Sequence, residues 1–99
     1  MIINKAQENG KLILSLEGRL DADSALQLQE ILIPAIKDLK QIELDFSQLA
    51  YISSAGLRVL LLGQRTADAK KTTMTVGGVS KEVMKVFEIT GFDDVLSFV

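Results

Sequence analysis

Apolar positions near the start of the chain recur with the period of a β-strand. Leu12, Leu14 and Leu16 alternate with residues of mixed character, which is typical of a strand with one buried face. Residues 2–7 form a shorter strand candidate before them. The Asn-Gly dipeptide in the intervening ENGK segment supplies the positive φ angles of a tight turn. The chain is therefore predicted to begin with an antiparallel pair of strands.

A helical pattern follows this pair. Asp21 or Asp23 is placed to cap the helix by accepting hydrogen bonds from its first free amides. Apolar residues at helical spacing continue to about residue 39, namely Leu28, Ile31, Leu32, Ala35, Ile36 and Leu39. Pro34 removes one backbone donor and clashes with the preceding turn, so a kink or a break into two short helices is predicted there.

The middle of the chain repeats the alternation of strand and helix. Residues 41–46, QIELDF, form the third predicted strand, and TTMTV at 72–76 forms the fourth. Between them a helix is predicted to start near Ser53 or Ser54. Its apolar stripe consists of Leu57, Leu60 and Leu61.

The last predicted helix has clear signals at both ends. Ser80 caps its start, and Gly91 is suited to the left-handed position after its end, where Phe92 can pack back on Phe87. One helix face carries Val83, Val86, Phe87 and Thr90. The tail FDDVLSFV is either a short final strand or a closing turn of helix.

The element order ββαβαβα predicts one α/β domain over residues 1–99. Helices of about 10 to 17 residues between strands imply right-handed crossovers and a sheet that is parallel in its later part. The expected architecture is a mixed sheet of four to five strands with about four helices. In such sheets, sites form where the carboxyl ends of strands meet helix N-termini, and Ser53 and Ser54 lie at such a place.

Composition narrows the possible functions. The 99 residues carry a net charge of −2, so neither a nucleic-acid footprint nor a basic membrane anchor is indicated. The chain has no cysteine and no histidine, which removes thiol chemistry, the commonest general base and the common nitrogen and sulfur metal ligands. Its longest aliphatic run, residues 59–62, is too short to span a bilayer, and no signal peptide is expected. We expect a soluble, cytoplasmic protein that binds a protein or a small ligand.

The residues alone leave several readings of the polar groups open. A serine at a strand-to-helix junction can be a cap, a nucleophile or a modification site. Neither Ser53 nor Ser54 lies in a Gly-x-Ser-x-Gly segment or has a histidine to take its proton, so capping is favoured over catalysis. Asp21 and Asp23 could pair on magnesium or in acid–base work, although helix capping explains them better. Gly77-Gly78 lacks the spacing of a nucleotide-binding loop.

Three segments carry a resemblance to a known family. They are GRLDADSALQLQ at 18–29, LDFSQLAYISSAGLRVLL at 44–61 and VGGVSKEVMKVFEITGFDDV at 76–95. They resemble the signature blocks of the STAS domain, and more narrowly those of bacterial anti-sigma factor antagonists. The resemblance implies a cytoplasmic binding protein without cofactor or metal. Its partner would be an anti-sigma factor that is also a serine kinase, its binding would free a sigma factor, and a serine phosphatase would reset it.

The family's common motif, Asp-Ser-Ser-Gly-Leu, implies which residue is modified. Its first serine is the phosphate acceptor, and laid on SSAGL this position is Ser54. Ser53 stands where the motif has aspartate, so it is the second candidate acceptor. The implied partner-binding residues are Asp21, Ser53, Ser54, Ala55, Gly56, Leu57 and Arg58. Arg58 either faces solvent or lies within reach of a phosphate on Ser54, and Phe46 and Tyr51 are expected to anchor the loop to the core.

Two other classes of function remain open. One is a STAS accessory subunit of a transporter complex, such as a lipid-transporting ATPase, without a phosphorylation switch. The other is a small hydrolase or nucleotide-binding enzyme that uses Ser53 or Ser54, which the missing histidine disfavours.

Overall fold

Strands and helices alternate in the predicted order ββαβαβα. The structure is a computed structural model that describes all 99 residues. Its elements are β1 (Ile2–Glu8), β2 (Lys11–Leu20), α1 (Ala22–Asp38), β3 (Gln41–Ile52), α2 (Ser54–Lys70), β4 (Thr73–Gly77), α3 (Lys81–Thr90) and a 3₁₀ turn (Phe92–Asp94). The α/β fold class is confirmed, but there are three α-helices and one short turn where about four helices were expected.

The sheet has the strand order β1-β2-β3-β4. β1 pairs with β2 in the antiparallel sense, while β2–β3 and β3–β4 are parallel. Asn9 and Gly10 have φ angles of 51° and 78°, as the predicted hairpin requires. β1 lies at the edge of the sheet, and none of its residues is fully buried.

One face of the sheet forms the core beneath the helices. The buried strand residues alternate with more exposed ones and belong to β2, β3 and β4: Leu12, Leu14, Leu16, Ile42, Leu44, Phe46, Met74 and Val76. In α2, Val59 and Leu60 are buried, whereas Leu61 is only half-buried. The apolar stripes of the three helices cover this face, since all three contact β3. None of the helices combines the length and apolar character needed to cross a lipid bilayer.

Pro34 does not divide the first helix. α1 is one helix of 17 residues, so the predicted break is wrong. A proline inside a helix costs about 3 kcal/mol, but the apolar stripe continues on both sides of it. Leu28, Leu32 and Ile36 are completely buried, and Pro34 itself is exposed. Packing of this stripe on the sheet keeps the helix continuous through Pro34.

β3 continues six residues beyond its predicted end at Phe46. The extra residues pair with the end of β2 after two register shifts, one between Ser15 and Glu17 and one between Gly18 and Arg19. Gly18 has a φ angle of 110°, which a residue with a side chain rarely adopts. These irregularities interrupt the period-two pattern, and they let β2 and β3 end side by side at Leu20 and Ile52.

The end of the chain contains both structures considered for it. Gly91 is left-handed, with a φ angle of 81°, and the rings of Phe87 and Phe92 lie 6.5 Å apart, as predicted. The 3₁₀ turn follows, and then Phe98 forms a single parallel bridge with Val76 of β4. Thr90 is exposed, unlike the other residues predicted to share its face.

Candidate functional site

Two helices begin side by side at one edge of the sheet. Because β2 and β3 are adjacent and parallel, α1 and α2 both start at the carboxyl ends of their strands. A hydrogen bond joins the two junctions, with the amide of Ser53 donating to the carbonyl of Leu20 at 2.9 Å. This edge gathers the predicted site residues into one surface.

The two adjacent serines occupy different environments. Ser53 is the N-cap of α2, and its Oγ accepts a hydrogen bond from the amide of Gly56 at 3.2 Å. It is half-buried. Ser54 is the first residue of the helix, and its exposed hydroxyl has no hydrogen-bond partner within the protein. Only the hydroxyl of Ser54 is therefore both accessible and free of a structural role.

The start of α2 is favourable for negative charge. The first amides of a helix have no intrahelical partner and carry the positive end of the helix dipole. α1 and α3 have Asp23 and Glu82 in their first turns, whereas α2 has no acidic residue there. An anionic group on Ser54 would therefore lie next to the free amides of the first turn, and no carboxylate in that turn would repel it.

Asp21 is the N-cap of α1, which agrees with the capping interpretation of Asp21 and Asp23 rather than with a magnesium or acid–base pair. Its Oδ1 accepts from the amide of Ser24 at 3.1 Å, and its own amide donates to Ser24 Oγ at 2.8 Å. The Ser24 hydroxyl in turn donates to the carbonyl of Arg19 at 2.7 Å. The Ser24 amide, followed by the Ser24 hydroxyl, lowers the pKa of Asp21 below its usual value. No three acidic residues lie together in an arrangement that could hold a metal ion.

A second carboxylate with a lowered pKa lies on β3. Asp45 accepts hydrogen bonds from the amide of Ser47 at 3.0 Å and the hydroxyl of Ser15 at 3.2 Å. The Ser47 amide is the largest cause of the lowered pKa of Asp45, with smaller contributions from the Ser47 and Ser15 hydroxyls. Gly78 passes close by, because a Cβ there would lie 3.1 Å from Asp45 Oδ1.

These two carboxylates predict how stability depends on pH. In the folded state both pKa values lie below the usual value of 3.8, so the stabilisation is complete above that pH and is lost as the pH falls toward the folded pKa. Melting temperatures should therefore decrease below about pH 4. In Asp21→Asn, which still caps the helix, this decrease should be smaller. Thermal melts of both proteins between about pH 2.5 and 7 test this expectation. An equal decrease of the melting temperature at low pH in both proteins would contradict the stabilising role of the Asp21 carboxylate.

Arg19 and Tyr51 are neighbours near the carboxyl ends of β2 and β3. The guanidinium carbon of Arg19 lies 4.0 Å from the centre of the Tyr51 ring, within the range of a cation–π contact. Tyr51 is 40% exposed, so the prediction that it anchors the loop in the core is wrong, whereas Phe46 is buried as expected. Sequence reasoning missed Arg19, because the pairing of Arg19 with Tyr51 depends on the shifted register.

The predicted partner-binding residues divide into a surface and a support. Ser54 and Arg58 are exposed, and Asp21, Ser53 and Ala55 are half-buried. Gly56 and Leu57 are buried beneath them. A Cβ on Gly56 would lie 2.8 Å from Leu20 Cγ, so the glycine lets the helix start approach β2 closely. Gly56 and Leu57 therefore hold the surface in place and do not form part of it.

A groove between α1 and α2 adjoins this surface. Its volume is about 430 Å³. The residues that line it come from positions 22–29 of α1 and 55–65 of α2: Ala22, Ala25, Leu26, Gln29, Ala55, Arg58, Val59, Leu61, Leu62 and Arg65. Of these, only Ala55, Arg58 and Leu61 were identified from sequence patterns. Leu26 and Leu62 could have indicated the groove from the sequence, because they are large apolar residues that do not belong to the buried stripe of either helix.

Comparison with known proteins gives consistent matches. A family model described as "Mlab, STAS domain" matches residues 3–97. BtrV of Bordetella bronchiseptica, assigned by its name to the anti-sigma factor antagonists, is 36% identical over 85 residues, covering 85% of this chain and 73% of its own. An anti-sigma-B factor antagonist of Listeria monocytogenes is 24% identical over 93 residues, covering 93% of this chain and 82% of its own.

The fold is also found among solved structures. The anti-sigma factor antagonist SpoIIAA in its unphosphorylated form superposes with a TM-score of 0.79 at 19% identity, over 99% of this chain and 87% of that one. The phosphorylated form of SpoIIAA, a Bacillus cell fate determinant, gives 0.78 at 20% identity, over 99% and 91% of the two chains.

Proposed function

This chain belongs to the STAS domain family, and we propose that it is an anti-sigma factor antagonist controlled by phosphorylation of Ser54. In this proposal it binds an anti-sigma factor that is also a serine kinase, and the binding frees a sigma factor in the cytoplasm. The observation that carries the proposal is the hydroxyl of Ser54 at the start of α2, which is exposed and makes no hydrogen bond within the protein.

The environment of the two serines supports Ser54 as the acceptor. The kinase would transfer the γ-phosphoryl group of ATP to Ser54 Oγ, with loss of the hydroxyl proton and release of ADP. Ser53 Oγ already accepts the amide of Gly56, so its modification would disturb the helix cap. A solved phosphorylated form of SpoIIAA supports such a modification on this fold. A serine phosphatase would restore the hydroxyl.

The proposed action is binding and not catalysis. At this edge of the sheet the Asp21 carboxylate accepts the capping hydrogen bond from Ser24, and the Arg19 guanidinium lies over the Tyr51 ring. With no histidine in the chain, the serines lack the usual group that would activate them as nucleophiles. Neither a nucleic acid nor a membrane is part of this proposal.

A second candidate is an accessory subunit of a transporter complex without a switch. The observation that favours it is Ser53, which stands where the family's phosphorylation motif has an aspartate. The two candidates predict different partners, since the second requires stable binding to a transporter ATPase. Such binding, unaffected by ATP and by Ser54→Ala, would select it.

The acceptor itself can be identified directly. Incubated with the anti-sigma factor kinase of its own organism and ATP, the protein should gain one phosphate on Ser54. Ser54→Ala should abolish the modification and leave the melting temperature almost unchanged, because the Ser54 hydroxyl makes no hydrogen bond within the protein. Ser53→Ala should still be modified but be less stable by about 1 kcal/mol, because it loses the cap. Fragment-ion mass spectrometry and thermal melts measure both effects.

The two alanine variants serve as controls for each other. A phosphate located mainly on Ser53, or full modification of Ser54→Ala, would contradict the assignment of the acceptor. Absence of modification in all three proteins, despite an active kinase, would contradict the switch.

A further inference from the structure

Two large apolar side chains are exposed along the groove between α1 and α2. Leu26 is 58% exposed and Leu62 is 41% exposed, one on each side of the groove. Between them the floor is formed by small or buried residues, including Ala25 and Val59. Large apolar side chains that border a recess indicate a surface that another molecule covers.

The groove is long enough to hold two to three turns of a third helix. On α1 the lining residues fall at positions 22, 25, 26 and 29, and on α2 they include 55, 58, 59 and 62. Both sets follow the i, i+3, i+4, i+7 pattern, which makes two facing ridges with a furrow between them. At 1.5 Å per residue these ridges are about 10 to 15 Å long, enough for two to three helical turns.

The charges of the groove select an acidic occupant. Arg58 and Arg65 line it, two turns apart on α2, and no acidic residue does. The protein has one ion pair, between Lys11 and Glu43 at 2.7 Å, so neither Arg58 nor Arg65 forms an ion pair within the chain. In a chain of net charge −2 these are two unpaired cations beside an apolar recess. A partner with carboxylates about seven residues apart along one helix would satisfy both.

We propose that this groove binds an acidic amphipathic helix of the anti-sigma factor, with its apolar face between Leu26 and Leu62 and its carboxylates toward Arg58 and Arg65. The inference rests on the proposed function, because Ala55 places one end of the groove beside Ser54. It adds to that function a second contact, which extends along α1 and α2 away from the acceptor.

Charge reversal in the groove tests the proposal. Arg58→Glu combined with Arg65→Glu should weaken binding of the anti-sigma factor at least tenfold, as should Leu62→Asp. The matched control is Lys37→Glu with Lys70→Glu, which changes the net charge equally at the opposite ends of the same two helices. It should bind within about twofold of the parent. Calorimetric titration gives the affinities, and thermal melts verify that each variant is folded.

The result separates the two proposals. Groove variants that bind like the parent, in a protein whose binding is still lost on Ser54 phosphorylation, overturn the groove and leave the switch intact. Equal losses in the groove variants and in the control variant also overturn it, because net charge alone would then explain them. Lost binding in the groove variants with no effect of phosphorylation supports the groove and overturns the switch.

The occupant can be identified by crosslinking. With a photo-crosslinking amino acid in place of Leu62, irradiation of the complex should label a partner segment with apolar residues at helical spacing and at least two carboxylates. A labelled segment that is basic or lacks helical periodicity would overturn the proposal. Perturbation of groove resonances by sodium decanoate, together with unchanged partner binding by the groove variants, would assign the groove to a small amphipathic anion instead.

Discussion

Phosphorylation of Ser54 is expected to weaken binding to the anti-sigma factor about a hundredfold without unfolding the protein. Two opposed contributions lead to this result. At the start of α2 the phosphate meets free amides and the helix dipole, which favour it by about 0.3 to 1 kcal/mol. In an interface the added charge of about −1.5 to −2 must be desolvated, and any like charge placed against it costs several kcal/mol more. A penalty of roughly 3 kcal/mol corresponds to about a hundredfold loss.

An aspartate in place of Ser54 should reproduce part of this effect. Ser54→Asp carries one charge and a smaller head group, so its affinity should lie between those of the parent and the phosphoprotein. Because the Ser54 hydroxyl is exposed and makes no hydrogen bond, and because acidic groups are favourable at a helix N-terminus, the melting temperature of Ser54→Asp should stay within a few degrees of the parent's. Ser54→Asn provides a neutral control of similar size.

Calorimetric titration and thermal melts distinguish the switch from a structural effect. Unchanged affinity in the phosphorylated protein would refute the switch. A loss of affinity that follows a loss of the folded state would show that Ser54 matters only for the structure of α2.

Leu20→Ala is expected to cause the largest loss of stability near the site. Leu20 is completely buried, and its side chain packs directly against Gly56 at the start of α2. Its truncation removes buried methyl groups and leaves a cavity, at a cost of about 2 to 5 kcal/mol. The melting temperature should fall on the order of 10 to 30 °C. Gly56→Ala should also destabilise the protein, by about 1 to 3 kcal/mol, because its methyl group meets Leu20.

Together these two substitutions should be less harmful than their sum. The methyl group of Gly56→Ala enters space that Leu20→Ala vacates, so a favourable coupling of about 0.5 to 3 kcal/mol is expected. Gly63→Ala is the matched control, because its methyl group would meet Leu32, 2.8 Å away, and not Leu20. Its effect should add to that of Leu20→Ala. Denaturant titrations of all variants give the free energies of unfolding, and additivity in the first pair would contradict the predicted packing.

Features that depend on local interactions could be predicted from the sequence. The strand of Leu12, Leu14 and Leu16, the cap at Ser80 and the left-handed Gly91 each follow from a few neighbouring residues. The position of Ser53 and Ser54 at the start of α2 was predictable for the same reason. The resemblance to the family then distinguished one serine as a site of modification.

Features that depend on contacts between elements could not be predicted in this way. The intact helix around Pro34 results from packing on the sheet, which outweighs the local cost of proline. The contact of Arg19 with Tyr51 requires the shifts in the β2–β3 register. The groove exists only because Leu26 and Leu62 lie on facing sides of two helices, a relation that no single periodic pattern contains.

The position of β1 at the edge of the sheet has a consequence for how firmly different parts of the protein are held. β1 is paired on one side and has no fully buried residue, so its detachment uncovers little apolar surface. β2 and β3 lie in the interior of the sheet and carry the completely buried Leu14 and Leu44. We therefore expect the amide hydrogens of β1 to exchange through local openings of lower free energy than those that expose the strands positioning Ser54.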